Sequence, residues 1–95
     1  MYKEILEKSA QVSKIMDILS HEKRLALLCM LSEGEKNIAE LTRDLDISQS
    51  LVSQFALKMK DQGILESRKQ GKEVFYHVVD TKLWELLKAF KKIYC

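Results

Sequence analysis

The sequence predicts a mainly α-helical domain with one β-hairpin, in the order four helices, hairpin, terminal helix. Three observations predict it. Apolar residues recur at spacings of three and four from Tyr2 to about Gln62. The period then switches to two between Ile64 and Val79, and a helical stripe returns after Asp80. Ninety-five residues, 46% hydrophobic and 32% charged, make one folded domain, 1–95, and not a disordered chain.

The first helix, 2–19, carries Ile5, Leu6, Val12, Ile15, Met16 and Leu19 along one stripe. So small a domain leaves such a helix little core to cover, and its surplus face suits a second copy of the chain. A helix packed only on its own domain is the plainer alternative. Ser20 offers an N-cap oxygen for the second helix, 21–32, whose run LALLCML is apolar on every side and belongs at the centre. Asn37 and Glu40 have the spacing of a capping box for the third helix. Ser48 caps a fourth that stops at Gly63. Residues 64–69 and 73–79 read as strands around a Gln70-Gly71 turn, and Asp80 caps the last helix with its stripe of Leu83, Leu86, Leu87, Phe90, Ile93 and Tyr94.

Residues 37–62 therefore have the form of a helix-turn-helix, and 64–79 that of a wing. The second helix of the pair shows Ser48, Gln49, Ser50, Ser53, Gln54, Lys58 and Lys60 between its apolar positions. Gln49 and Gln54 have the amide that pairs with an adenine edge in a major groove, and Lys58 and Lys60 suit phosphates. Arg68, Lys69, Gln70 and Lys72 gather near the hairpin tip, where a wing meets the backbone or a minor groove. The net charge is only +2, so distribution carries this reading: the stretch from Gln49 to Lys72 is locally basic, and most acid lies elsewhere. A merely solvated surface would show the same charges. No apolar run approaches the roughly 20 residues of a membrane span, and no signal-peptide core is present, which points to a cytoplasmic protein without a membrane partner.

Taken in order, LSHEKRLALLCMLSEGEKNIAEL, LDISQSLVSQFALKMKDQGIL and ESRKQGKEVFYHV resemble the ArsR/SmtB family of winged-helix repressors over nearly the whole chain. The resemblance implies a homodimer joined through the first and last helices (1–19 and 80–95), bound to a two-fold symmetric operator and released by a chemical signal. It also directs attention to metal. The arsenic and cadmium type has a Cys-x-Cys pair where this chain reads Asn37-Ile38-Ala39, and the last helix has Asp80 and Glu85 but no histidine for the zinc type. His21 and His77 read as surface or packing residues. No metal and no cofactor is expected. Relatives commonly show Ser-x-His-Leu where this chain has Ser53-Gln54-Phe55-Ala56, so Phe55 packs inward or against a thymine methyl, and Leu57 has no assigned direction.

The sequences LLCML and KKIYC resemble one subgroup, the BigR, SqrR and HlyU-like regulators, in placing cysteines at positions 29 and 95. That implies a sensor of reactive sulfur species or oxidants working through a bridge between Cys29 and Cys95. A half-buried cysteine acting as a small hydrophobe is the bland alternative for Cys29. In a reducing cytoplasm the two thiols rest reduced, and a bridge is a signal rather than a staple. An enzyme is not expected: the cysteines are far from a Cys-x-x-Cys spacing, and there is no phosphate loop or hydrolytic triad. Two other readings stay open, a regulator without an inducer that displaces another DNA-bound protein, and a winged-helix module used for protein contacts.

Overall fold

The computed structural model describes residues 2–95 and begins with an 18-residue helix, α1 (Tyr2–Leu19). Only Ile18 is buried along it, with Ile15 and Leu19 leaning on the same core. Tyr2, Ile5, Leu6, Val12 and Met16 stay exposed, so most of the apolar stripe has no partner within the chain. The helix closes when the Ser20 hydroxyl donates to the Asp17 carbonyl at 2.6 Å. That bond takes Ser20 out of the cap role expected of it. His21 caps the next helix instead, its Nδ1 accepting from the Lys23 N–H at 3.2 Å.

Helix α2 (Glu22–Leu31) is the central element. Leu27 and Leu28 are fully buried and Leu31 nearly so, each contributing about 2–3 kcal/mol of transfer free energy. The chain then makes a short strand that the sequence pattern does not predict, β1 (Lys36–Asn37). Two residues are too few to show a period, so the extra strand is found only through its partner. It starts helix α3 (Ile38–Leu45) through the expected capping box: Asn37 accepts from the Glu40 N–H at 2.8 Å, and Glu40 accepts from the Asn37 N–H at 3.2 Å. Asp46 ends α3 in a left-handed conformation, φ 53°.

Ser48 then caps helix α4 (Gln49–Asp61) by accepting from the Leu51 N–H at 3.1 Å. Gly63, at φ 79°, turns the chain into strand β2 (Leu65–Gln70), and Gly71, at φ 62°, turns it again into β3 (Glu73–Val78). β3 lies in the middle of the sheet, in the order β1-β3-β2, with both pairings antiparallel. Asp80 caps helix α5 (Thr81–Tyr94), accepting from the Leu83 N–H at 3.0 Å. Leu83 and Leu87 complete a core otherwise made by α2, α3, α4 and the sheet. The result is a mainly helical winged helix-turn-helix with a small antiparallel sheet.

Candidate nucleic-acid interface and thiol pair

Val52, Ala56 and Met59 are fully buried, and they fix which way α4 faces. Two rows are left on its other side. Ser50, Gln54 and Lys58 point to solvent. Gln49, Ser53 and Leu57 line a cleft of about 340 Å³ between α4, the start of α3 at Ile38 and Ala39, and the wing at Lys72 and Val74. Leu57, whose direction the sequence leaves unassigned, is 53% exposed in this cleft. Phe55 takes the inward alternative: its ring meets His21 edge-on at 5.0 Å, with the Arg24 guanidinium 6.0 Å from its centroid. The Lys23 ammonium donates to the Leu45 carbonyl at 3.2 Å, tying α2 to the turn that separates α3 from α4. A cation at the negative end of α3 suits the helix dipole.

The basic side chains differ in what holds them. Lys60 donates to the Ser67 hydroxyl at 2.8 Å, fastening α4 to β2. The Arg68 Nε donates to Glu35 Oε2 at 2.8 Å, and its Nη2 donates to the other carboxylate oxygen. The Arg68 Nη1 donates to Gln70 Oε1 at 2.6 Å, while the guanidinium lies 4.6 Å from the Phe75 ring centroid. Arg68 thereby holds the Glu35 carboxyl below the usual carboxylate range, and its own affinity for a proton rises. Lys69 and Lys72 are exposed and carry no ion pair among the described residues. Glu35 and Phe75 are not legible as site residues, because no spacing rule links positions 33 apart.

Both cysteines are free. Cys29 is half-buried on α2 and Cys95 is exposed at the end of α5; the two are not close. Burial pushes the Cys29 thiol up; Lys91 partly offsets this, and Cys95 and Glu33 add to the rise through their charge. Lys91 also pairs with Glu33 at 3.3 Å, and the Trp84 indole donates to the Ser32 carbonyl at 3.2 Å. Together these contacts lay α5 along the end of α2.

Residues 21–67 match the family model described as "Bacterial regulatory protein, arsR family". The biofilm growth-associated repressor of Xylella fastidiosa is 36% identical over 96 residues, covering 100% of this chain and 84% of the relative. The chain belongs to the ArsR family. The transcriptional activator HlyU of Vibrio cholerae is 30% identical, over 97% of this chain and 85% of that one. The crystal structure of the transcriptional repressor BigR from Xylella fastidiosa superimposes with a TM-score of 0.87 at 36% identity, covering 100% and 98% of the two chains.

This ArsR-family chain is a DNA-binding transcriptional regulator and not an enzyme. At the place where arsenic and cadmium sensors carry their cysteine pair, Asn37 is committed to the α3 cap. Among the described residues no group of three or more His, Cys, Asp and Glu side chains is arranged to hold a metal, and no helix is long and apolar enough to cross a membrane.

Proposed function

We propose that the protein is a homodimeric operator-binding repressor whose DNA affinity is switched by linking Cys29 to Cys95. The observation that carries the switch is the position of the two free thiols, one on the central helix and one at the end of α5. Exposed Tyr2, Ile5, Leu6, Val12 and Met16 on α1, with Leu86, Ile93 and Tyr94 on α5, support pairing of two copies through these helices. Ser48, Gln49, Ser50, Ser53 and Gln54 read the major groove, Lys58 and Lys60 flank it, and Lys69, Gln70 and Lys72 present the wing to phosphates.

Exposure makes Cys95 the first thiol to react. Its thiolate takes one sulfane sulfur from a polysulfide, which departs one sulfur shorter, and becomes a persulfide. The Cys29 thiolate then attacks the Cys95 Sγ, expels hydrosulfide and closes a disulfide. A peroxide gives the same link through a sulfenic acid, with water as the leaving group. A disulfide needs the two Cα atoms within about 7 Å, so the last turn of α5 moves toward α2 as it forms, and a polysulfide link needs less movement. Two recognition helices must match half-sites about 34–36 Å apart, and a displaced α5 spoils that match.

The test is a gel shift on the DNA upstream of the protein's own gene, reduced against polysulfide-treated, with mass spectrometry of both cysteines. Cys29→Ser and Cys95→Ser keep DNA binding and lose release. A Cys95→Ser protein that still releases normally overturns the switch. The separation of the thiols favours one second reading, an inducer-free regulator that displaces another DNA-bound protein. Unaltered regulation in both serine variants would establish it.

A further inference from the structure

We propose that Arg68 acts on DNA binding as a positioning residue that braces the wing against the loop before α3, and not as a phosphate contact. Three contacts converge on its guanidinium: both Glu35 oxygens, the Gln70 amide oxygen and the face of Phe75. The planar fork is spent on these partners, and the Glu35 carboxylate cancels its charge. A phosphate would have to displace a bidentate carboxylate already in place. Neighbouring Lys69 and Lys72 carry no such partner among the described residues.

The brace joins two parts of the reader. Arg68 lies in β2, opposite Phe75 of β3. Glu35 immediately precedes β1, whose Asn37 pairs with Phe75 and caps α3. One ion pair thus closes a ring through β2, β3, β1 and the start of the helix-turn-helix. Opening it leaves the hairpin hydrogen-bonded within itself but frees its outer strand from the loop. The angle between wing and α4 then becomes softer, and the exposed lysines reach their phosphates from a broader ensemble. This inference rests on the reading that the wing touches DNA.

The test uses the charge-neutral double variant Glu35→Gln/Arg68→Gln in the full chain, with thermal melting to confirm folding. The DNA probe is a fluorescent duplex of about 30 base pairs, selected by the wild-type protein from a randomised pool. Affinity is expected to fall about two- to fivefold, in line with an exposed ion pair, with the slope of log K against log salt unchanged. A slope shallower by about 0.9 makes Arg68 a phosphate contact and overturns the proposal. So does wild-type affinity in the double variant. Backbone ¹⁵N order parameters of the free protein give a reading independent of DNA. Amides 69–72 are expected to fall from about 0.85 toward 0.6 while those of α4 hold. An unchanged wing overturns the brace. If the wild-type protein selects no duplex, the wing's role on DNA fails, and the order parameters alone still decide whether Arg68 holds the hairpin. Arg68→Lys adds a further discrimination: as a phosphate contact it keeps affinity and slope, whereas as a brace it loses the fork and binds like the double variant.

Discussion

The Trp84 indole N–H donates to the carbonyl of Ser32, just beyond the end of α2, at 3.2 Å, and the Ser32 hydroxyl donates to the Cys29 carbonyl at 2.6 Å. A single chain of bonds therefore runs from α5 to the backbone of the buried thiol. The Lys88 ammonium, 4.2 Å from the Trp84 ring centroid, stacks on the same indole. Replacing Trp84 by Phe keeps much of the ring and removes the donor. Stability is expected to drop by about 1 kcal/mol, read as a lower urea midpoint at unchanged m-value.

The two thiols should respond differently to alkylation. Because burial raises Cys29, its protonated form is the one favoured in the fold. The sign follows: the stability linked to this thiol is present below the ordinary value of 9.0 and is lost as pH rises through the higher folded value. Iodoacetamide should modify exposed Cys95 before Cys29 at neutral pH, and the Cys29 rate should climb only above pH 9.0. Lys91→Ala should move that climb higher still. Equal rates for both thiols at neutral pH would contradict this.

Glu35 titrates in the opposite direction. Arg68 holds its carboxyl below the ordinary 4.5, so the stabilising pair is complete above that value and is lost as pH falls through the lower folded value. Chemical shifts of the Arg68 side-chain N–H groups should stay constant from neutrality down to pH 4.5 and change only below it.

On DNA the two kinds of contact should separate. Lys69→Ala or Lys72→Ala is expected to weaken binding to every sequence and to flatten the salt slope by about 0.9. Gln54→Ala should instead redistribute preference among sequences by about 1–3 kcal/mol at one base pair. A selection experiment that returns the same operator for Gln54→Ala would remove that residue from base reading.

Phe55 offers a contrast on the same helix. Its ring is half-buried against His21 and Arg24, so Phe55→Ala should cost about 2 kcal/mol of stability, below the range for a fully buried ring. The operator selected by that variant should remain the same. A changed operator would mean that the ring faces DNA after all.

Much of the fold was readable because helix starts are local events. The Asn37 and Glu40 box, the Ser48 cap and the Asp80 cap each involve groups within one turn, and all three form as their spacing suggests. Where two candidates stood side by side the local rule failed. Ser20 and His21 both offer an acceptor, and the serine hydroxyl was drawn back into the last turn of α1. Strand β1 exists only because β3 pairs with it, and nothing within two residues announces that. The candidate site was legible to the extent that it lies on one helix face. The rows of α4 follow from Val52, Ala56 and Met59, but the fate of Arg68 depends on Glu35, which tertiary structure alone brings beside it. Leu57 had no reading because an exposed leucine contradicts the ordinary rule for burial.

Asn37 belongs to β1, pairs with Phe75 and caps α3 in the same few ångströms. A side chain with both duties has nothing left to offer a ligand. Installing a cysteine there would exchange the cap for a thiol at a cost of about 1 kcal/mol, before any metal had bound. The joint between wing and helix-turn-helix is thus closed to retooling as a receptor. New signals are easier to accommodate on α1 and α5, whose exposed faces can change without disturbing the frame of the reader.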